Sequence, residues 1–374
     1  MIKKLNIFVM SFNRHQILRE KINFWKKYSS YDINFFIIDG SKKKLAINKK
    51  KISSNINYIH YPTEDYHKRL NLILKYSNSK YSQLQNDDDY FDPVVLLKSC
   101  ENLEKKKNKN YTSVIGKSSI YSTYKKKLYI KELFISDEFK ENNNDEPLKR
   151  LKSNYVDQEY SPALYFSIMR TSLLIKIIKI FNLCRRDYGD SMQIFAETVI
   201  TTLITLAGKT IYLNDLFWIR HDSDIKKRTE YKKIESIIGK GQHNYAELSR
   251  FLYTAHQKEN FLHNFFKNIT QVLNIKKNVP QYIDKIDHIF MTFHKNNYEK
   301  NIIKNKKKIV LKWIIILIPV FLKKFLRFRI FKINGVNVGS ICMNSYNANY
   351  DFSKKFLINL QNHINKRKEN DYKN

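Results

Sequence analysis

The run Asn34-Phe35-Phe36-Ile37-Ile38, cut off by Asp39-Gly40-Ser41, restricts the fold more than any other stretch of this 374-residue chain. Consecutive apolar side chains point to both faces of a strand, so both faces must be covered. The neighbouring sequence supplies the covering helices. Leu5–Met10 reads as a first strand, with Ser11-Phe12-Asn13-Arg14 as its exit loop and Ser11 or Asn13 as the cap of a helix over 16–27. Asn57–Tyr61 is a third strand, and 66–77 has helical spacing through Leu70, Ile73 and Leu74. Tyr81–Gln85 alternates apolar and polar as a further strand, and Pro93 opens a helix that runs to Leu103. This alternation predicts an α/β fold with a doubly wound, mostly parallel sheet. Ligands of such sheets lie outside the carboxyl ends of the strands, and Asn13, Asp39 and Asp87 all fall at such ends.

Further along, Ile120–Tyr129 and Leu164–Met169 read as more sheet, separated by a polar loop or lid over 131–160. Helices follow over 173–181 and 192–207, then a last strand at Thr210–Leu213, and Trp218-Ile219-Arg220-His221 closes the region. The expected division is an α/β domain over 1–224 and a basic helical region over 225–374.

Asp87-Asp88-Asp89 stand directly after the fourth strand. In an extended segment residues i and i+2 share a side, so Asp87 and Asp89 can converge while Asp88 faces away. Adjacent carboxylates repel, and the usual remedy is a divalent cation, Mn²⁺ or Mg²⁺, which also carries substrate phosphates.

Net charge is +33, and residues 226–374 hold 30 Lys and Arg against 10 Asp and Glu. Such a balance favours anionic partners, although codon usage that enriches Lys, Asn, Ile and Tyr together also raises it. Lys312 and Pro319 interrupt an apolar run over 309–322 that is shorter than a bilayer span and flanked by basic clusters as far as 331. It suits a helix lying in an anionic membrane interface, or a buried core helix. Cys100, Cys184 and Cys342 are odd in number and widely spaced, which fits a reducing compartment. The N-terminal apolar stretch is too short for a secretory signal and is broken by Asn6. A cytoplasmic protein, peripheral on the inner face of the cell membrane, is expected.

The order of these motifs resembles family 2 glycosyltransferases with the GT-A nucleotide-sugar fold, in particular bacterial enzymes of surface-polysaccharide synthesis. The resemblance covers about 5–224. Ser11-Phe12-Asn13-Arg14 stands where that family has its first-strand turn, and Ile38-Asp39-Gly40-Ser41 is similar to its second-strand loop. Arg69-Leu70-Asn71 is similar to its helix motif before the acidic cluster, Asn86-Asp87-Asp88-Asp89. The resemblance implies donor binding by Ser11, Asn13, Arg14, Asp39, Arg69, Asn71, Asp87 and Asp88, with Asp39 on the nucleotide base. It implies Asp89 as the direct metal ligand, joined by Asp87 and by His221, and leaves Arg220 for the diphosphate. Counting back from Gly208 to the family's base position gives Glu197 as general base for an inverting transfer; Asp190 competes, with helix capping as its other reading. The partners implied are a nucleotide-sugar donor and a glycan or lipid-linked acceptor. The chain departs from the family in having one acid of the usual pair at Glu197 and one aspartate of the commoner pair at Asp39. Gln-Xaa-Xaa-Arg-Trp is absent, so one sugar per encounter is expected.

Two other readings stay open. Clustered aspartates in a basic chain also occur in nucleic-acid enzymes, although no nucleic-acid-binding signature is present and such a partner is not expected. A GT-A scaffold without activity, acting as a membrane adaptor, is the other.

Overall fold

The computed structural model describes residues 3–47, 52–105, 110–124, 127–133, 144–154, 162–188 and 192–221, with short pieces of the remainder. Four strands form a parallel block: β1 (Leu5–Ser11), β2 (Ile33–Asp39), β3 (Ile56–His60) and β4 (Tyr81–Asn86), in the order β3-β2-β1-β4. Its helices are α1 (His15–Trp25), α2 (Tyr66–Tyr76) and α3 (Pro93–Glu104). Phe35 and Phe36 show why the block is doubly wound. As neighbours in β2 they point to opposite faces. Phe35 stacks on Trp25 of α1 at 5.4 Å, whereas Phe36 stacks on Phe8 of β1 at 5.3 Å and on Tyr76 of α2 at 5.5 Å.

Beyond β4 the sheet changes character. β4 pairs antiparallel with the short β8 (Ile168–Arg170), which pairs antiparallel with β6 (Tyr111–Tyr124). β7 (Lys127–Leu133) and the two-residue β10 (Ile341–Cys342) extend that edge, again antiparallel. β5 (Asp89–Phe91) joins β9 (Lys209–His221) antiparallel, and β9 runs parallel to β6. The fold is α/β with a doubly wound parallel core, as expected, continued by a mixed half. The strand expected at Leu164–Met169 is a 3₁₀ turn over Pro162–Phe166 followed by β8. The last strand starts as expected but runs on through Arg220 and His221.

β4 forms where the sequence placed a strand, between β1 and β8, and Tyr81 to Gln85 are all buried. Its polar side chains are used inside: Ser82 meets the Thr171 hydroxyl at 2.8 Å, and Gln83 donates to the Phe166 carbonyl at 2.7 Å.

Two more helices, α5 (Thr171–Tyr188) and α6 (Met192–Ala207), follow the short α4 (Pro147–Lys152). Arg150 of α4 is 3% exposed. It donates to the Thr205 and Leu206 carbonyls at 2.8 and 3.0 Å, satisfying groups that the last turn of α6 leaves unpaired. From the C-terminal part, Phe356 and His363 lie edge-on to Phe24 of α1 at 6.0 and 5.3 Å, and Leu360 is fully buried. The segment over 309–331, most of 225–374 and residues 134–143 of the expected lid lie outside the described residues. Among the described residues no helix is long and apolar enough to cross a membrane.

Asp92 caps α3, accepting from the Val94 N–H at 3.0 Å, and is 2% exposed. Burial, helped by the nearby Asp215 charge, pushes its carboxyl up to about 7. The folded state therefore holds a proton that the unfolded chain has released above the ordinary carboxylate range. Stability falls as pH rises through that interval to about 7, then levels off. Asp92→Asn, which keeps the cap, is expected to raise Tm by a few degrees at pH 8 and by less at pH 5; equal shifts at both, read by thermal unfolding, would contradict this assignment.

Candidate functional site

The register of the parallel block brings the strand tips together. Ser11 lies opposite Asp39, and Met10 opposite Asn86, so β1 is flanked by the Asp39 loop on one side and the aspartate cluster on the other. Asp39, Asp87, Asp88 and Asp89 are each at most 1% exposed. Burying that many carboxylates requires nearby donors and cations.

The Ser11 hydroxyl donates to Asp87 Oδ2 at 2.7 Å, and Arg14 Nη1 donates to Asp87 Oδ1 at 2.6 Å. Arg14 Nη2 reaches Asp88 Oδ2 at 3.2 Å. From β9, Arg220 grips Asp89 with both ends of a fork, Nε to Oδ1 at 2.7 Å and Nη2 to Oδ2 at 3.0 Å. Its Nε also lies 3.4 Å from Asp88 Oδ1. Asp88 therefore does not face away: it sits between the two guanidiniums. Asp87 and Asp88 form a turn between β4 and β5, so the two-residue periodicity of a strand does not extend through them.

Lys21, absent from the sequence-based set, completes the cluster. It is 1% exposed, its Nζ lies 3.0 Å from the centre of the Tyr90 ring, and its charge pulls the Asp89 carboxyl down. The signal was present in the spacing: Leu18, Lys21, Ile22 and Trp25 share the buried stripe of α1. Burial nonetheless dominates at Asp89, raising it to about 6 against the pull of Arg220. For Arg220, burial works against the charge, but Asp88 and Asp89 more than offset it and Glu197 adds to them, so the net shift is upward. Glu197, half-buried on α6, is thus within electrostatic range of Arg220.

Asp39 is a hub. Its Oδ1 accepts from the Ser41 backbone N–H at 3.0 Å and from the Ser41 hydroxyl. Its Oδ2 accepts from Tyr58 at 2.6 Å and lies 3.2 Å from His15 Nε2. Asn13 adopts φ 55°, and its N–H donates to Ser41 Oγ at 2.8 Å, tying the two loops together. Neither Ser11 nor Asn13 caps α1: the Ser11 hydroxyl turns to Asp87, and Arg14 occupies the cap position without a side-chain cap bond. Arg69 donates to the Ser11 carbonyl at 2.8 Å, supporting the backbone of the β1 exit. Gly40 makes room for it: a Cβ there would lie 2.6 Å from Arg69 Cδ and 2.4 Å from the Thr63 carbonyl oxygen. Asn71, two residues on, faces the other side of α2 and pairs with Asn182 of α5. Asp190 lies outside the described residues; His221 is placed in β9 opposite Tyr121, with its side chain outside the description.

The oxygen-rich donor set suits a hard cation in its chemistry. The arrangement does not fit one held by Asp89 and Asp87. Both oxygens of Asp89 are engaged by Arg220, and those of Asp87 by Ser11 and Arg14. Among the described residues no group of three or more His, Cys, Asp or Glu side chains is set to surround an ion.

No family model matches the chain, and no curated protein does. Among solved structures, S. aureus TarS 1–349 is similar with a TM-score of 0.43 and 14% identity, covering 79% of this chain and 89% of that one. A second S. aureus TarS structure is similar with a TM-score of 0.41 and 14% identity, covering 79% of this chain and 54% of that one.

Removing one partner of a buried ion pair leaves an uncompensated charge. Asp89→Ala is expected to cost about 3–5 kcal/mol in urea unfolding, and Asp89→Ala with Arg220→Met to cost less than the single change. A double variant at least as unstable as the single one would show that the pair is not the source of the loss.

Proposed function

We propose that this chain is a glycosyltransferase that moves a sugar from a nucleotide-sugar donor to a hydroxyl acceptor. One observation carries the reading. Three neighbouring parallel strands deliver Ser11 to Arg14, Asp39 to Ser41 and Asp87 to Asp89 to one end of the sheet, and Glu197 lies within electrostatic range of them through Arg220. Buried, fixed donors at the carboxyl end of a parallel sheet suit a nucleotide diphosphate.

In the transfer, the acceptor oxygen forms a bond to the anomeric carbon. The bond from that carbon to the phosphate oxygen breaks, and the nucleoside diphosphate leaves with the electron pair. Glu197 takes the acceptor proton as general base, and a single displacement inverts the anomeric centre. Arg220 holds Asp89 and feels the charge of Glu197, which links the proposed site of proton uptake to that of charge release. Loop backbone around Gly40 and Ser41, braced by Arg69 and Asp39, forms the nucleoside side. Donor-binding roles for Ser11, Asn13, Arg14 and Asp39 belong to this proposal, as does a glycan or lipid-linked acceptor in surface-polysaccharide synthesis. The basic stretch over 226–374 supports peripheral contact with an anionic membrane on the cytoplasmic face.

The test is a screen of UDP- and GDP-sugars for transfer or donor hydrolysis, followed by Glu197→Gln. That variant is expected to bind nucleotide like the parent and to lose about 10²-fold or more in turnover. An active Glu197→Gln enzyme would move the base to Asp190, and no turnover or binding with any donor would end the glycosyltransferase reading.

A further inference from the structure

We propose that Arg14 and Arg220, rather than a divalent cation, supply the positive charge that faces the donor diphosphate, so that nucleotide binding at this site is independent of metal. This rests on the glycosyltransferase reading and adds the nature of the counter-charge to it. The aspartates become positioning residues, whose task is to hold two guanidiniums in place.

Occupancy is the first argument. A cation ligated by Asp89 and Asp87 needs oxygens that now accept from Arg220, Arg14 and Ser11. Such an ion must share those oxygens with two guanidiniums and sit beside charges of its own sign.

Arg220, moreover, has little freedom to leave. Its backbone is paired with Asp89 across β5 and β9, and it is 6% exposed. Its guanidinium lies 5.0 Å from the Trp218 ring centre and 5.9 Å from that of Phe166. Aromatic faces on one side and a bidentate carboxylate on another confine the planar group. Arg14 differs: its side chain is 14% exposed, at the rim, with one edge turned to Asp87 and Asp88.

Among the described residues, Arg14, Arg220 and Lys21 already bring positive charge to Asp87, Asp88 and Asp89. A guanidinium carries five N–H donors in a plane, a pattern that matches phosphate oxygens. Arg14 donates from one terminal nitrogen to Asp87 and from the other to Asp88. A bound diphosphate would meet the rim arginine first and draw on charge that the buried one fixes behind it.

UDP and GDP are the probes, titrated calorimetrically into the full chain in EDTA and again in excess Mn²⁺. The expected result is that the nucleotide that binds keeps its Kd within about threefold between the two conditions. Arg14→Ala should weaken binding in EDTA by about tenfold or more, with a parent-like circular dichroism spectrum. Arg220→Lys, which keeps the charge and loses the fork, should weaken it as well. Binding that appears only with Mn²⁺ and disappears in Asp89→Asn would overturn the inference and leave the glycosyltransferase reading standing. Binding in EDTA that both arginine variants retain would overturn it too, by placing the diphosphate elsewhere. Binding of neither nucleotide in either condition would overturn both.

Discussion

The fork between Arg220 and Asp89 is the contact on which the rest of the strand-tip cluster depends. It joins residues 131 positions apart and pins β5 against β9 in the mixed half of the sheet. Through Asp88 it reaches Arg14 and the exit of β1, and through Arg14 and Ser11 it reaches Asp87. The parallel and mixed halves are thereby locked where their tips meet. A buried ion pair of this kind contributes little net stability against an apolar core, but it fixes geometry, because any other arrangement strands a charge. Lys21 extends the principle: a cation buried against Tyr90 is tolerable only because carboxylates lie close by.

The two loops that face one another across β1 have different tasks. The Asp39 loop is closed on itself by Ser41, Tyr58 and His15, so its carboxylate organises backbone more than it offers free oxygens. The aspartate turn instead spends its carboxylates on cations from three distant elements, α1, the loop before it, and β9. A rigid frame with charged groups held at its lip is what chemistry on a charged substrate asks of a scaffold.

Much of this was legible in the residues. Phe35 and Phe36 announced a strand covered on both faces, and Asp39 and Asp87 were rightly set at strand ends because a polar break after an apolar run marks where a strand leaves the core. What stayed hidden depends on partners far away in the chain. The turn at Asp87 and Asp88 breaks the strand periodicity and brings Asp88 in with its neighbours, and nothing local reports that β9 will place Arg220 opposite. Nothing local in the sequence shows that the polar Gln83 and Gln85 are fully buried. Lys21 sat on an apolar stripe in plain view, but a lysine there reads as a solvated side chain unless buried acids are known to await it.

The return of Phe356 and His363 to α1 bears on how the molecule is made. Phe24 is synthesised early relative to these two rings, which arrive only after the long stretch beyond His221 has been made. Until then the nascent α/β unit carries an uncovered aromatic face, a natural point for chaperone attachment and for aggregation if elongation stalls.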